Sequence, residues 1–157
     1  MIDISYKNPH TLVIKNADKK EVFFDFDAGK VSLEDYEVSF PGEYEKSGNL
    51  LEVKEYTDLL FYKFLIDGKH LCIVPSDSFD MKEEIIGFFW DVDVLIIKGS
   101  KESFKIFESI EAKVVIPFGD MKDIFLNTAG QHPEAVSSFK VKWDLDWDRT
   151  EFVNLEG

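Results

Sequence analysis

Three histidines and one cysteine are the residues of this chain whose side chains most often bind metals or act as nucleophiles. His10, His70 and His132 lie about sixty residues apart, so no two share the short spacing of zinc ligands on one helix or strand. A lone histidine is more often a polar surface or capping residue than a ligand. Cys72 lies within the apolar run 71–74, which would raise the pKa of its thiol and favours a buried structural role over a nucleophilic one.

Carboxylates follow several of the predicted strands. Asp25 and Asp27 come after Phe23-Phe24, Asp77 follows Val74-Pro-Ser, and Asp120 follows Ile116-Pro-Phe-Gly. Ligands gather at strand ends in layered α/β folds, so these acids are candidate site residues. The alternative is that they cap turns and helices, and for Asp120 a helix cap is the preferred prediction.

The segment Trp143–Asp148 alternates aromatic and acidic residues. Such an edge could bind a cation or a protein partner. The alternative is a half-buried strand or turn with a solvated acidic face. A glycine-rich phosphate loop, a GxSxG nucleophile turn and a basic–aromatic nucleic-acid platform do not occur in the sequence.

Charge and composition narrow the class of protein further. Lys and Arg number 18 and Asp and Glu number 31, which gives a net charge of −13 over 157 residues and disfavours nucleic acid and anionic membranes as partners. With 45% hydrophobic residues the chain can form a core, and its length is typical of one domain. A single cysteine cannot form an internal disulfide, and no signal peptide or membrane helix is recognisable. A cytoplasmic protein is therefore expected.

Short alternating or apolar runs predict the strands, bounded by polar turns. The hairpin 59–74 carries Asp67-Gly68, a pair typical of a type I′ turn. Residues 30–37 are polar and predict a loop, and Pro41-Gly42 predicts a turn. The predicted strands are Ile2–Tyr6, Thr11–Lys15, Glu21–Phe26, Leu50–Tyr56, Leu59–Ile66, Lys69–Val74, Val92–Ile97, Lys113–Pro117, Ser138–Trp143 and Glu151–Leu155.

From residue 78 the apolar period becomes helical. Asp80 is predicted to cap a first helix, Ser100 a second, and Asp120 to open a third that ends near Gly130. Helices that alternate with buried strands indicate a mixed, layered α/β fold, and we predict one domain over residues 1–157. The cluster Phe88–Trp90 is predicted to pack in the core, with an oligomer contact as the alternative.

Four segments, in this order, resemble the metallo-β-lactamase superfamily, and within it the branch of L-ascorbate-6-phosphate-lactonase-like hydrolases. They are Phe40–Glu45 with its Pro-Gly-Glu-Tyr-Glu sequence, Phe64–Asp77, Asp91–Ile97 and Lys113–Pro117. The N-terminal strands also fit, and Val22-Phe-Phe-Asp25 is similar to the strand that ends in the family's first-motif aspartate. The resemblance spans nearly the whole chain and implies a shortened αβ/βα sandwich.

The same resemblance implies a zinc site between the two sheets, and the sequence departs from it there. The family's His-x-His-x-Asp-His motif falls between Asp25 and Phe40, and this interval contains no histidine. Gly119 stands where a later histidine ligand is expected. The first-turn Gly-His is replaced by Asn8-Pro9, with His10 one place further along. Asp25 and the bridging-type Asp77 are the two matching residues that remain, and a hydrolytic zinc site needs at least three ligands and an open position.

The resemblance therefore predicts a metal-free, non-catalytic member that acts as a binding or interaction module, with no zinc or other cofactor. Its vestigial site would consist of Asp25, Asp77 and Gly119. The partner is unspecified, and a second copy of the chain is one possibility. The alternative is a metal-dependent hydrolase in which Asp25, Asp77 and Asp120, with His10 or Glu43, converge on a hard cation such as Mg²⁺.

Overall fold

The computed structural model describes residues 1–145 and 148–156. Within them the chain forms two large sheets, one small two-stranded sheet and a group of short helices. The strands are β1 (Ile2–Asn8), β2 (Thr11–Lys15), β3 (Glu21–Asp25), β4 (Lys30–Leu33), β5 (Tyr36–Val38), β6 (Gly42–Lys46), β7 (Asn49–Tyr56), β8 (Leu59–Ile66), β9 (Lys69–Val74), β10 (Val94–Lys98), β11 (Val114–Phe118), β12 (Ala135–Val136), β13 (Ser138–Val141), β14 (Glu151–Phe152) and β15 (Asn154–Leu155). The helices are α1 (Glu83–Phe88), α2 (Lys101–Glu108) and α3 (Lys122–Thr128).

The first sheet is antiparallel, in the order β13-β1-β2-β3-β4-β5. Apolar and polar side chains alternate along its strands, because one face of the sheet is buried and the other is solvated. On the outer face Lys140, Asp3, Lys15 and Glu21 lie opposite one another in register, so unlike charges are neighbours across the strands. The inner face is apolar and contributes to the core between the sheets.

The second sheet has the order β14-β11-β10-β9-β8-β7-β6 and is parallel from β9 to β14. The β8–β9 turn confirms the predicted hairpin, because Asp67 and Gly68 both have positive φ, at 48° and 79°. Strands β10 and β11 are buried on both faces, as their continuous apolar sequences predict.

Two apolar clusters form the core. One lies between the sheets, and the other lies between the outer face of the second sheet and helices α1, α2 and α3. In the second cluster Cys72, Leu95 and Val115 from the sheet meet Phe107 and Phe125 from the helices. This layering confirms the predicted α/β sandwich. No helix of the described residues is long and apolar enough to cross a membrane.

Three local predictions are wrong. Residues 30–37, predicted as a loop, contain β4 and most of β5, because Val31 and Leu33 alternate inward while Lys30 and Glu37 face solvent. Asp80 and Asp120 are not helix caps: α1 begins after Lys82 and α3 after Met121, each without a side-chain cap. The turn predicted at Pro41-Gly42 is not one of these three, since the chain bends at residues 40–41 and β6 begins at Gly42.

The C-terminal predictions hold in part. The strand predicted at 138–143 ends at Val141, and the one predicted at 151–155 is split into β14 and β15. Trp143 is exposed, at 64% of its surface. The remainder of the alternating aromatic–acidic segment includes Asp146 and Trp147, which lie outside the described residues.

Helix α2 begins as the sequence predicts, with Ser100 as its N-cap. The Ser100 hydroxyl accepts a bond from the Ser103 N–H at 3.0 Å, and the Ser103 hydroxyl accepts one from the Ser100 N–H at 2.9 Å. Both residues are buried, so water cannot replace these bonds. We expect Ser100→Ala to lower the free energy of unfolding by about 1–2 kcal/mol in urea denaturation. Ser109→Ala, at an exposed hydroxyl of the same helix, is the control, and an equal loss in both variants would contradict the role of the cap.

Candidate functional site: an aromatic corner between the sheets

The ends of β3 and β11 meet at one corner of the sandwich. Phe26, directly after β3, and Phe118, the last residue of β11, have ring centroids 5.2 Å apart. Phe24 meets Phe118 edge to face at 5.3 Å. Phe24 and Phe118 are buried, because β3 and β11 direct these side chains into the space between the sheets. We call the group of Tyr6, Phe24, Phe26 and Phe118 the aromatic corner.

Tyr6 completes this cluster from β1. Its ring meets Phe26 edge to face at 6.1 Å. Burial raises the pKa of the Tyr6 hydroxyl, and the Glu156 carboxylate near it raises the pKa further. The phenol therefore remains a neutral hydrogen-bonding group at physiological pH.

The polar side chains at this corner are used in local structure. One Asp25 carboxylate oxygen accepts bonds from the N–H groups of Asp27 and Ala28, each at 3.1 Å, so Asp25 caps the turn after β3. The His10 imidazole lies against the Asp27 carboxylate, and both side chains are more than 60% exposed. The corner thus offers a turn-capping carboxylate and an exposed surface pair.

Gly119 follows Phe118 directly and has a φ of 93°, a conformation that glycine adopts without strain. It places no side chain at the corner, and Asp120 beyond it is exposed. Pro9 is exposed in the turn between β1 and β2, next to His10. The structure therefore brings the neighbourhoods of Pro9, His10, Asp25 and Gly119 together.

Asp77 lies three residues after the end of β9. It lines a depression of about 590 Å³ on the helical side of the second sheet, together with Asp80, Glu102 and Lys105. None of the aromatic-corner residues lines this depression. Asp77 thus shares a depression with residues of α2, and Asp25 does not line that depression.

Glu43 is also remote from the corner. It lies on β6, the edge strand of the second sheet, and β6 is five strand positions away from β11. At about 4.8 Å per strand this separation is roughly 24 Å. Glu43 instead lies opposite Glu52 on β7.

The search of solved structures found a chain with the same arrangement of elements. It is a protein of Thermotoga maritima whose crystal structure is described as that of a candidate Zn-dependent hydrolase of the metallo-β-lactamase superfamily. The two chains superpose with a TM-score of 0.76 over the full length of both, at 17% sequence identity.

The chain has the metallo-β-lactamase fold. The superposition confirms the fold that the sequence resemblance predicts. No protein-family model matches the sequence, and no curated protein matches it.

Zinc, the metal of the metallo-β-lactamase superfamily, does not fit the residues at this corner. Within residues 1–145 and 148–156, no three His, Cys, Asp or Glu side chains are grouped so that they could hold a metal ion. The side chains that do meet there are aromatic rings, which supply no zinc ligand.

The sequence prediction names Asp25 and Gly119 but not the phenylalanines beside them. Each is one residue from a ring of the pair Phe26–Phe118. One signal in the sequence could have indicated this packing. An aromatic residue stands at each of the two strand ends that border the expected metal site.

Cys72 has the structural role predicted from its neighbours. It is fully buried between the second sheet and the helices, and burial raises the pKa of its thiol to about 12. We expect the native protein to react with a thiol-specific disulfide reagent at pH 8 only at the rate of unfolding, since neither thiolate nor access is available. Reaction should become rapid in urea. Fast labelling of the native chain would contradict this role.

The same pKa shift also predicts a pH dependence. Because the folded-state pKa lies above the unfolded value near 9, the folded state holds this proton more tightly. The contribution of Cys72 to stability is therefore complete below pH 9 and is lost as the pH rises from 9 towards 12.

Proposed function

We propose that this protein is a metal-free, non-catalytic module of metallo-β-lactamase fold that acts by binding a partner. The observation that carries the proposal is the aromatic corner. Phe24, Phe26 and Phe118 pack where the resemblance to the superfamily places a metal between the sheets. Hydrolysis at a zinc centre needs several ligands and an open coordination position for water, and aromatic rings supply no ligand to such a centre.

The roles of the polar residues near the corner support the same proposal. Asp25 is engaged with two backbone N–H groups, and His10 is paired with Asp27 at the surface. Both carboxylates are thus engaged in local contacts, and Gly119 contributes no side chain. Function must be argued from the site, so the fold by itself does not carry catalysis over to this chain.

The alternative function is a metal-dependent hydrolase with a reduced carboxylate site around Asp25 and Asp77. The fold shared with the Thermotoga protein is the observation in its favour. It has less support, because Asp77 lines a depression beside α2 and Asp25 caps a turn at the aromatic corner.

Thermal unfolding with and without metals tests the proposal. A site-bound metal at 100 times its Kd would stabilise the fold by about 2.7 kcal/mol, which is a rise of roughly 5–10 °C in Tm for a chain of this length. We expect Zn²⁺, Mn²⁺, Mg²⁺ and EDTA to leave the Tm unchanged. Asp25→Ala and Asp77→Ala are the matched variants. A rise in Tm that either variant abolishes would contradict the proposal and support the hydrolase.

A further inference from the structure

Strand β6 is the last strand of the second sheet, and β7 is its one strand neighbour among the described residues. The two strands form a hairpin through Ser47 and Gly48, whose φ angles of 54° and 85° are those of a type I′ turn. In such a two-residue hairpin the flanking residues, here Lys46 and Asn49, exchange both backbone hydrogen bonds, and bonded and non-bonded pairs then alternate along the strands. This alternation decides which backbone groups of β6 face β7 and which face outwards.

The open edge of β6 consists of two glutamates. By the alternation Gly42 and Tyr44 bond to β7, whereas the N–H and C=O groups of Glu43 and Glu45 face away from the sheet. Pro41, directly before β6, has no N–H and ends the row of donors. Glu43 and Glu45 are both exposed, so their backbone groups are available to an added strand.

The side chains of these two residues make the edge acidic. Among the described residues, neither carboxylate forms an ion pair. The Glu45 carboxylate accepts the Gly48 N–H at 3.0 Å, which leaves its charge uncompensated. Glu43 lies opposite Glu52 on β7, which adds a third carboxylate to this end of the sheet.

The lysines on β6, β7 and β8 have other partners. The Lys46 ammonium contacts the Asp35 carboxylate, and the Lys54 ammonium lies 3.8 Å from Glu52. The Lys63 ammonium donates to two backbone carbonyls at the end of α1, at 3.2 and 2.8 Å. The charges of Glu43 and Glu45 are therefore left for a partner.

The same glutamates disfavour a second copy of this chain as the added strand. The outward backbone groups belong to Glu43 and Glu45, so an antiparallel pairing of two such edges sets a glutamate directly opposite a glutamate. Like charges in opposed positions destabilise a strand pair, and each copy carries a net charge of −13. A strand with basic side chains at these two positions is instead stabilised by them.

The residue between the two basic positions would lie opposite Tyr44. The Tyr44 side chain is half-buried on the other face of the sheet, with its ring 6.1 Å from that of Tyr36. A β-branched side chain packs well against such a surface.

We propose that β6 binds an extended segment of a partner protein by antiparallel strand addition, with basic residues opposite Glu43 and Glu45 and a β-branched residue opposite Tyr44. The inference rests on the proposed function, because it supplies the partner class of the binding module.

NMR titration with the blocked pentapeptide acetyl-Thr-Arg-Val-Arg-Thr-amide tests this proposal. We expect saturable binding that moves the amide proton signals of Glu43 and Glu45 downfield, because these N–H groups gain acceptors, and moves those of Gly42 and Tyr44 less. Methylation of both arginine amide nitrogens of the peptide should abolish binding, because these N–H groups face β6. Methylation of the valine nitrogen, which faces away, should keep the Kd within about twofold.

Charge reversal on β6 tests the choice of a basic segment. Glu43→Lys with Glu45→Lys should raise the Kd by about tenfold. The matched control, Glu108→Lys with Glu111→Lys, makes the same change in net charge at exposed positions outside β6 and should keep the Kd within about twofold. All four positions are exposed, so the variants should remain folded, which circular dichroism checks.

Trp90 provides a second control. The prediction that Phe88–Trp90 packs in the core holds for Phe88 and Phe89, whereas Trp90 is 78% exposed. Trp90→Ala removes an exposed ring outside β6 and should also keep the Kd within about twofold.

The outcomes separate the edge, the occupant and the metal-free assignment. Equal weakening by the two charge reversals, binding of the arginine-methylated peptide, or the absence of saturation would overturn strand addition at β6. Equally strong binding of acetyl-Thr-Glu-Val-Glu-Thr-amide, or dimerisation through β6 in light scattering, would overturn the basic partner. The metal titrations above are read separately, so failure of this proposal and failure of the metal-free assignment are distinguishable.

Discussion

Replacing Asp93 by asparagine is expected to lower the free energy of unfolding by about 3–5 kcal/mol. Asp93 is almost fully buried before β10, and one of its carboxylate oxygens accepts a bond from the Lys113 ammonium at 2.8 Å. The other oxygen accepts the His70 N–H at 2.8 Å. Asparagine keeps the shape and one acceptor but removes the charge beside a lysine side chain that is 11% exposed. Removing the charge of a carboxylate 2.8 Å from a largely buried ammonium is costly, because the attraction is lost while the desolvation of the ammonium remains.

The position of Asp93 explains the size of this effect. Its backbone N–H donates to the His70 carbonyl oxygen, and its own carbonyl accepts bonds from the N–H groups of Lys113 and Val114. One residue thus joins the starts of three parallel strands, β9, β10 and β11. Asp91→Asn, two residues earlier at a side chain that is 55% exposed, is the matched control and should change stability by less than about 0.5 kcal/mol. Equal shifts of the urea midpoint in the two variants would contradict this role.

The second large effect is expected at the aromatic corner. Phe118→Ala should lower the free energy of unfolding by about 3–5 kcal/mol, because it deletes the ring that Phe24 and Phe26 pack against and leaves a cavity between the sheets. Phe118 is 2% exposed, so little of this loss can be recovered by solvent. Urea unfolding monitored by circular dichroism measures the change.

Phe40→Ala provides the control for this measurement, since it removes the same side chain at a position 73% exposed. It should change stability by less than about 0.5 kcal/mol. If Phe118→Ala were equally mild, the corner would be loosely packed and could accommodate a ligand, and the physical basis of the metal-free proposal would be lost.

Local sequence signals predict much of the fold. Asp67-Gly68 predicts its hairpin, because few other pairs accept two consecutive positive φ angles. The uninterrupted apolar sequence of β10 predicts a strand covered on both faces, and Ser100 predicts the start of α2 through its hydroxyl. Each of these features depends on interactions within a few residues or on simple burial.

Features that depend on distant residues are predicted less well. The strand β4 is polar on one face and is recognised only through its pairing with β3, so residues 30–37 read as a loop. Asp80 and Asp120 have the right residue type for caps, yet the chain enters both helices two residues later. The contact between Phe26 and Phe118 joins residues 92 positions apart, and no local pattern fixes such a packing.

The candidate site was also predicted only in part, because some of its features depend on distant residues. The resemblance predicts that Asp25 and Gly119 meet at one corner, and the fold brings them together through their phenylalanine neighbours. The resemblance does not predict that Asp77 shares a depression with residues of α2, because that placement depends on how the segment after β9 packs against the helix.

Elemental analysis of the purified full-length protein tests the central claim most directly. We predict that mass spectrometry finds zinc, manganese and magnesium far below one ion per chain, both as isolated and after incubation with each metal and gel filtration. The reason is that rings, and not ligands, pack the corner between the sheets. One tightly held metal ion per chain, lost on Asp25→Ala or Asp77→Ala, would contradict the claim that this metallo-β-lactamase fold works without a metal.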